Sequence, residues 1–156
     1  MKKIVRTLSL LFVIALMCGC GNTEKEVVKT CTLTSKDTVN GYKMESVYKI
    51  YGKGDVVEKV ETTETVTSDN EEILDYLEEY LIDTYKSINE VYGGYTNTVT
   101  NEDGKVVSTT TIDYNVMDLE KYANDNTAVK NYINSDNKFL IDGIISIYES
   151  TGAVCK

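Results

Sequence analysis

Apolar and polar residues alternate along three consecutive segments in the first half of the chain, and this period of two predicts β-strands. In the first segment Cys31 and Leu33 lie on the apolar face, while threonines occupy the opposite face. In the third segment we expect Val56, Val60 and Val66 on the buried face. Turns that contain glycine follow the first two segments. Strands joined by short turns are typical of an antiparallel meander with one buried face.

A helical period replaces this alternation after the third strand. Ser68–Glu71 has the pattern of a capping box, and acidic residues follow in the first turns, where the helix dipole favours them. Gly93-Gly94 ends the pattern. The sequence therefore predicts one long amphipathic helix. Its apolar stripe consists of Ile73, Leu74, Leu77, Tyr80, Leu81, Ile88 and Val91.

The second half of the chain begins with another hairpin. Tyr95–Thr100 and Lys105–Tyr114 are rich in β-forming residues, and Asp103-Gly104 between them is a strong turn signal. Helical spacing then resumes in short segments, the last of which begins at Phe139, and the apolar tail that contains Cys155 is expected to add to the sheet edge or pack on it. These elements predict an α+β fold: an antiparallel sheet of two hairpin or meander units, packed with one long helix and two or three shorter C-terminal helices.

The N-terminus has the composition of an export signal. Lys2, Lys3 and Arg6 precede Leu8–Met17, a run of ten residues with a single hydroxyl group. A spanning helix needs about 20 apolar residues, so this run is too short for a permanent anchor. Its length and its basic flank are those of a lipoprotein or secretory signal peptide, which we assign to residues 1–19.

The segment Met17-Cys18-Gly19-Cys20 resembles the lipobox of bacterial lipoproteins, in which a small residue precedes the cysteine that receives a diacylglyceryl group. The resemblance implies that Cys20 is lipidated, and an anchor with two acyl chains gives lasting attachment to the cell membrane on its extracytoplasmic face. Residues 20–26 then form a polar tether to a single globular domain, residues 27–156. The alternative is ordinary signal cleavage that leaves Cys20 as a free cysteine.

Two cysteines, Cys31 and Cys155, remain after cleavage and lipidation, one near each end of the domain. In an exported protein such a pair suggests a disulfide. The alternatives are two unpaired buried thiols or a catalytic thiol. The chain contains no histidine that could activate a catalytic thiol.

The charge of the chain limits its partners. The formal net charge is −9, and removal of the leader takes away three basic residues and no acidic one, which makes it −12. Such a domain repels nucleic acid and anionic lipid surfaces, so we predict no nucleic-acid partner. A cationic envelope ligand or protein is the partner that we expect, in addition to the membrane that the lipid on Cys20 enters.

The absence of histidine excludes a serine triad and a histidine-ligated zinc. Glu71, Glu72, Asp75, Glu78 and Glu79 suggest a site for a metal or a cationic ligand, but a solvated charged helix face is the commoner explanation of such a cluster. We therefore predict no cofactor, no metal site and no catalytic residue.

The order of these elements resembles that of the YehR-like family of small bacterial lipoproteins, and the likeness extends over nearly the whole chain after the leader. Its most specific piece is Thr111-Ile112-Asp113-Tyr114 followed by Met117-Asp118-Leu119. The resemblance implies a compact α+β domain with an antiparallel sheet, and no catalytic residue carries over from it. We expect Asp113 to be an exposed strand residue or a helix cap; a functional acid is the alternative.

Together these features predict a lipid-anchored extracytoplasmic protein that binds a partner or is associated with the cell envelope, and that is not an enzyme. The alternative is a hydrolase that uses two carboxylates at the cell envelope. A purely structural element of the envelope is a third hypothesis, which sequence alone does not separate from the first.

Overall fold

The computed structural model describes residues 25–38 and 41–156. The strands in these residues are β1 (Glu26–Asp37), β2 (Tyr42–Lys53), β3 (Val56–Ser68), β4 (Tyr95–Glu102), β5 (Lys105–Asp113) and β6 (Val154–Cys155). The helices are α1 (Glu71–Tyr92), α2 (Leu119–Asp125) and α3 (Ile141–Ser150), with a 3-10 helix at Thr127–Tyr132. The strands form one antiparallel sheet in the order β4-β5-β3-β2-β1-β6. The predicted α+β fold is confirmed.

The inner face of the sheet forms the core because side chains alternate between the two faces of each strand. Cys31, Ile50, Val60 and Val106 are fully buried there, and Ile144 of α3 packs against the same cluster. Threonine dominates the outer face of the sheet. The outer-face threonines are Thr30, Thr32, Thr34, Thr63, Thr65, Thr67, Thr96, Thr98, Thr100, Thr109 and Thr111.

A β-bulge changes the buried positions at the start of β3. The register between β2 and β3 shifts next to Gly52, and Glu58 is left without a partner in β2. The extra residue reverses the alternation, so Val57 is 1% exposed whereas Val56 is only partly buried. The prediction for Val56 was therefore wrong, because a strict period of two does not anticipate a bulge. The other two predicted valines lie in the core.

Helix α1 begins later than the capping-box pattern indicates. Asn70 is the N-cap, and its side-chain oxygen accepts a hydrogen bond from the backbone N–H of Glu72 at 3.0 Å. The Ser68 hydroxyl oxygen instead accepts from the backbone N–H of Asn70 and so fixes the turn before the helix. Gly93, at a φ of 68°, ends the helix as expected, since glycine enters the left-handed region without strain.

The buried stripe of α1 is narrower than the sequence predicts. Leu74 is buried and Leu77, Leu81 and the other inner residues are half-buried. Tyr80 and Val91, in contrast, are 53% and 48% exposed, so the prediction of a single stripe that includes them was wrong. The reason is that α1 packs mainly on β4 at the edge of the sheet. A single edge strand does not cover an apolar stripe of this width.

The segment before α3 is extended rather than helical. The Phe139 carbonyl accepts a hydrogen bond from Val57 N–H, and the Asp55 carbonyl accepts one from Ile141 N–H. These bonds attach the segment to the start of β3. Phe139 is 2% exposed and packs edge-on against Tyr114. The predicted helix start at Phe139 was therefore too early, because hydrogen bonds to β3 replace the helical ones.

The C-terminal tail covers part of the edge of the sheet at β1. β6 pairs with β1, and a disulfide joins Cys31 to Cys155 across this pair. Thr30 and Lys156 exchange two backbone hydrogen bonds next to it. The expected addition of the tail to the sheet edge is confirmed, and the two cysteines are paired as expected.

The leader, residues 1–19, and the lipidation candidate Cys20 lie outside the described residues. The domain starts slightly earlier than residue 27, because Lys25 accepts a backbone hydrogen bond from Gly54 N–H and Glu26 begins β1. In the described part of the chain, every helix is too short or too polar to span a bilayer.

Candidate functional site

Helix α1 carries most of the uncompensated charge of the domain. It contains seven acidic residues and one basic residue, Lys86. The ion pairs within residues 25–38 and 41–156 all lie elsewhere, on β2, β3 and α2. The acidic residues of α1 are Glu71, Glu72, Asp75, Glu78, Glu79, Asp83 and Glu90. Their negative charge is therefore available to a cationic partner.

Six of these acidic residues are exposed and Glu78 is half-buried, because α1 is amphipathic. Its inner residues contact the sheet, and the acidic residues occupy positions between them in the helical period. In the part of the chain that the structure describes, no three acidic or cysteine side chains come close enough together to hold a metal ion. The cluster that suggested a cation site in the sequence is therefore spread along a helix surface.

Two exposed tyrosines lie among these acidic residues. Tyr76 and Tyr80 are 65% and 53% exposed, and their rings stack with centroids 6.0 Å apart and planes inclined by 18°. They are four residues apart and so occupy the same helix face. We call the open groove around them the α1 groove, and its volume is about 510 Å³. The residues that line the α1 groove are Tyr76, Glu79, Tyr80, Asp83, Thr84, Ser87 and Ile88.

The α1 groove has the chemistry to hold a lysine or arginine side chain. A cation over the face of an exposed tyrosine is attracted by about 0.5 to 1 kcal/mol. Glu79 and Asp83 add carboxylates beside the two rings. A similar arrangement exists within the domain, where Lys59 Nζ lies 4.4 Å from the centroid of the Tyr51 ring and 2.7 Å from Glu61 Oε1.

Two side-chain contacts position α1 against the edge strand β4. Asn101 Nδ2 donates a hydrogen bond to Asp75 Oδ1, and the backbone N–H of Tyr95 donates one to Asn89 Oδ1, both at 2.9 Å. These contacts lie at opposite ends of β4. They hold this side of α1 against β4.

A hydrogen bond between two half-buried side chains joins α1 to the inner face of the sheet. The Tyr85 hydroxyl on α1 donates to Glu64 Oε2 on β3 at 3.4 Å. Burial raises the pKa of Glu64, while the hydrogen bond from Tyr85 acts in the opposite direction. Burial also raises the pKa of Tyr85 to about 12. Both side chains therefore serve to join the helix to the sheet.

Ser46 lies on β2, opposite Glu64. It is 1% exposed, and within residues 25–38 and 41–156 its Oγ is the buried side-chain oxygen that lacks a hydrogen bond of good geometry. Burial raises the pKa of Tyr48 on the same strand. The interaction of its hydroxyl with Ser46 acts in the opposite direction and is the smaller effect.

A second cavity, of about 370 Å³, lies at the end of the sheet where β1 begins. Lys53 and Glu58 on its wall form an ion pair of 3.2 Å. Asp113 also lines it, and Asp113 Oδ1 accepts a hydrogen bond from the backbone N–H of Asn115 at 2.9 Å. The acid in the most specific sequence motif thus stabilises the turn that follows β5. The wall of this cavity carries both acidic and basic side chains, so the cavity favours neither a cationic nor an anionic ligand.

Sequence reasoning singled out Glu79 of the α1 groove but not Asp83, and it missed the aromatic residues of the groove. It placed Tyr80 in the buried stripe and did not single out Tyr76. The four-residue spacing of these tyrosines between acidic residues was the available signal. Of the predicted site residues, Cys31 and Cys155 are disulfide-bonded and offer no free thiol, and Cys20 lies outside the described residues.

Comparisons with known proteins bear on the fold. No protein-family model matches the chain, and no curated protein matches it. The NMR structure of the Escherichia coli YehR protein is similar, with a TM-score of 0.54 and 19% identity over 85% of this chain and 91% of that one. This chain has a YehR-like fold. An NMR structure of a Streptococcus pneumoniae TIGR4 protein gives a TM-score of 0.49 and 18% identity over 85% of this chain and 86% of that one.

Proposed function

We propose that this protein is a lipid-anchored binding protein of the cell envelope. Cys20 carries the lipid and holds the domain on the extracytoplasmic face of the cell membrane. The α1 groove binds a cationic segment of a partner polypeptide. The domain then acts by recruiting this partner to the membrane surface, without a catalytic step.

The observation that carries this proposal is the exposed pair Tyr76 and Tyr80 on a helix whose acidic residues have no ion-pair partner among the described residues. Exposed aromatic side chains lose hydration favourably when a partner covers them, and tyrosine is common in interfaces. The surrounding carboxylates favour lysine and arginine over other contacts. Aromatic surface and charge together support a cationic polypeptide as the partner.

The position of the acidic first half of α1 also supports the proposal. The chain enters the domain at Glu26, which pairs with Lys53 at one end of the sheet. Helix α1 starts just after Ser68, which pairs with Tyr42 at the opposite end. A strand rises about 3.3 Å per residue, so the two ends of β1 are roughly 35 Å apart. A lipid before Glu26 therefore leaves the acidic first half of α1 on the side away from the bilayer.

Titration of the full chain with an oligolysine peptide tests the binding function. We expect binding that weakens as salt rises from about 20 to 300 mM, since screening shortens the range of the attraction. The double substitution Tyr76→Ala/Tyr80→Ala is expected to weaken binding about 10-fold, because two cation–π contacts are lost. Unchanged affinity in this variant, or affinity independent of salt, would contradict the proposal.

A matched pair of charge variants separates the groove from the overall charge. Glu79→Gln/Asp83→Asn removes two negative charges from the groove, and Glu45→Gln/Glu149→Gln removes two from exposed positions on β2 and α3. The first variant is expected to bind oligolysine at least 5-fold more weakly, and the second less than 2-fold, since the Debye length at about 0.1 M salt is only about 10 Å. Equal losses would indicate that only the net charge matters.

The anchor is tested separately through Cys20→Ala. The wild-type chain is expected in the membrane fraction, with a lipid on its N-terminal cysteine that mass spectrometry detects. The variant is expected to lose the lipid and to leave the detergent phase on phase separation. A wild-type chain that keeps Met1 and carries no lipid would disprove the anchor without affecting the oligolysine result.

A further inference from the structure

β4 is the strand at one edge of the sheet and pairs only with β5 among the described residues. Its free edge is available to another strand. The register identifies the backbone groups on that edge. Asp113 N–H donates to the Gly94 carbonyl, so Gly94 and every second residue after it direct their backbone groups toward β5. Asn97, Val99 and Asn101 therefore direct their N–H and C=O groups outward.

The contact at Tyr95 agrees with this assignment. Tyr95 belongs to the outward series, and its N–H bonds to Asn89 Oδ1 on α1 rather than to β5. Asn97, Val99 and Asn101 together then offer three backbone N–H donors and three C=O acceptors to a neighbouring strand. An edge with this many free groups is a template for strand addition.

The edge of β4 lacks the features that prevent such pairing. Lysine, proline and inward charges commonly protect edge strands. The segment Tyr95–Asn101 contains no charged residue and no proline, and four of its residues are Thr or Val. The opposite edge of the sheet differs, because β6 and the disulfide cover the middle of β1. Of these two edges, that of β4 is the more open.

Helix α1 forms one wall beside this edge. Asp75, Ile82 and Asn89 are separated by seven residues each and lie in one line along the helix. Asp75 contacts Asn101 and Asn89 contacts Tyr95. Ile82, halfway between them, therefore lies above the middle of β4. Ile82 is 44% exposed. A strand added to β4 would cover this side chain and would lie beside the acidic residues Glu78 and Glu79.

We propose that the free edge of β4 accepts an extended basic segment of the partner polypeptide as an additional antiparallel or parallel strand. The inference rests on the proposed function, since it gives the same cationic partner a second contact, on a side of α1 different from that of the α1 groove. Backbone hydrogen bonds would supply affinity, and lysine or arginine side chains next to the acidic residues of α1 would supply specificity. A second copy of this chain suits the edge less, because it would bring another acidic α1 against the first.

The test uses the full chain and an octapeptide of alternating lysine and valine. The substitution Val99→Pro removes an outward N–H and leaves the ladder with β5 intact. Thr34→Pro is the matched control, since Thr34 has the same outward parity on β1 as Thr30 and lies beyond the end of β6. Titration calorimetry measures affinity, and circular dichroism verifies that both variants fold.

We expect Val99→Pro to weaken binding of this peptide at least 10-fold and Thr34→Pro to change it less than 2-fold. The amide resonances of Asn97, Val99 and Asn101 are expected to shift when the peptide binds. The same peptide with all backbone amides N-methylated has the same charge but cannot pair as a strand, and it is expected to bind at least 10-fold more weakly. This comparison decides the matter even if Val99→Pro fails to fold.

Three results would overturn the inference. Equal binding of the N-methylated peptide would show that charge alone holds the segment at the α1 groove, and the proposed function would survive. Equal binding of an octapeptide of alternating glutamate and valine would disprove a basic occupant. Sedimentation of the unliganded chain as a dimer that Val99→Pro dissociates would assign the edge to a second copy. Failure of every lysine peptide to bind would instead disprove the proposed function.

Discussion

Individual half-buried polar residues decide how α1 attaches to the sheet. Glu64 alternates with valine and threonine along β3, and its parity places it on the inner face. An ionised carboxylate is costly to bury without a partner. The hydroxyl of Tyr85 supplies that partner from α1. The interaction is therefore specific for one helix position and sensitive to the protonation of Glu64.

The pH dependence of stability tests this assignment. Burial raises the pKa of Glu64 above its ordinary value of 4.5. The folded state then binds this proton more tightly than the unfolded state, so the contribution to stability is full below pH 4.5 and is lost as pH rises through the folded-state pKa. Glu64→Gln mimics the neutral form. We expect its melting temperature, relative to wild type, to be higher at pH 7 than at pH 4.

Glu61→Gln is the matched control, because the pKa of Glu61 is shifted in the opposite direction from that of Glu64. Hydrogen bonds from Lys59 and Tyr51 lower the pKa of Glu61 on the outer face. Its contribution is present above the ordinary pKa and is lost as pH falls, so this variant is expected to lose a little stability at pH 7 and none at low pH. Parallel pH profiles for the two variants would contradict the assigned environments.

The disulfide is a residue-scale feature with a large expected effect. Cys31 and Cys155 are separated by 124 residues, and closing so long a loop restricts the unfolded chain strongly. Cys31→Ala/Cys155→Ala is expected to lower the free energy of unfolding by about 3 to 5 kcal/mol. Urea unfolding measures the difference. Wild type with reductant should match the variant, and equal midpoints with and without reductant would exclude a stabilising bridge.

At the scale of elements, close packing fixes how α3 meets the 3-10 helix. Gly143 is buried, and a Cβ atom there would lie 2.5 Å from Tyr132 Cβ. The two elements approach closely only because residue 143 has no side chain. The helical period of the sequence predicts α3 but gives no indication of this contact.

Gly143→Ala tests the contact. The added methyl group forces the two elements apart, and overpacking of this kind costs about 1 to 3 kcal/mol. Ser146→Ala on the exposed face of α3 is the control, with an expected change within about 0.5 kcal/mol. Thermal unfolding compares the variants. A Gly143→Ala protein as stable as the control would mean that α3 and the 3-10 helix are not packed as described.

At the scale of the whole molecule, charge is distributed unevenly between the two faces of the domain. On the outer face of the sheet basic and acidic residues oppose each other, as Lys49 and Glu61 or Lys105 and Glu102 do. The acidic residues of α1 have no such partners among the described residues. The net negative charge therefore acts mainly on the helical side.

Intact mass of the processed protein tests the molecule as a whole. The proposal predicts a chain that begins at Cys20 and carries a diacylglyceryl group. Reduction is expected to raise the mass by two hydrogens, because one disulfide joins the remaining cysteines. Unchanged mass on reduction would exclude the bridge, and a chain without lipid would exclude the anchor. The two readouts are independent.

Sequence alone determined the elements and their order, because local periodicity, capping residues and turn glycines act within a few residues. The alternation around Cys31 indicated a strand, and Asp103-Gly104 indicated the second hairpin; both are present. The sequence also suggested the pairing of Cys31 with Cys155, with unpaired thiols or a catalytic thiol as the alternatives, and the disulfide is present.

Tertiary structure alone decided which side chains are buried where the local pattern breaks. The bulge at Glu58 exchanged Val56 for Val57, and packing of α1 on an edge strand left Tyr80 exposed. Both outcomes depend on neighbours distant in sequence, so a local period does not contain them. For the same reason the stacked tyrosines and the free edge of β4 became visible only when the helix and the sheet were assembled.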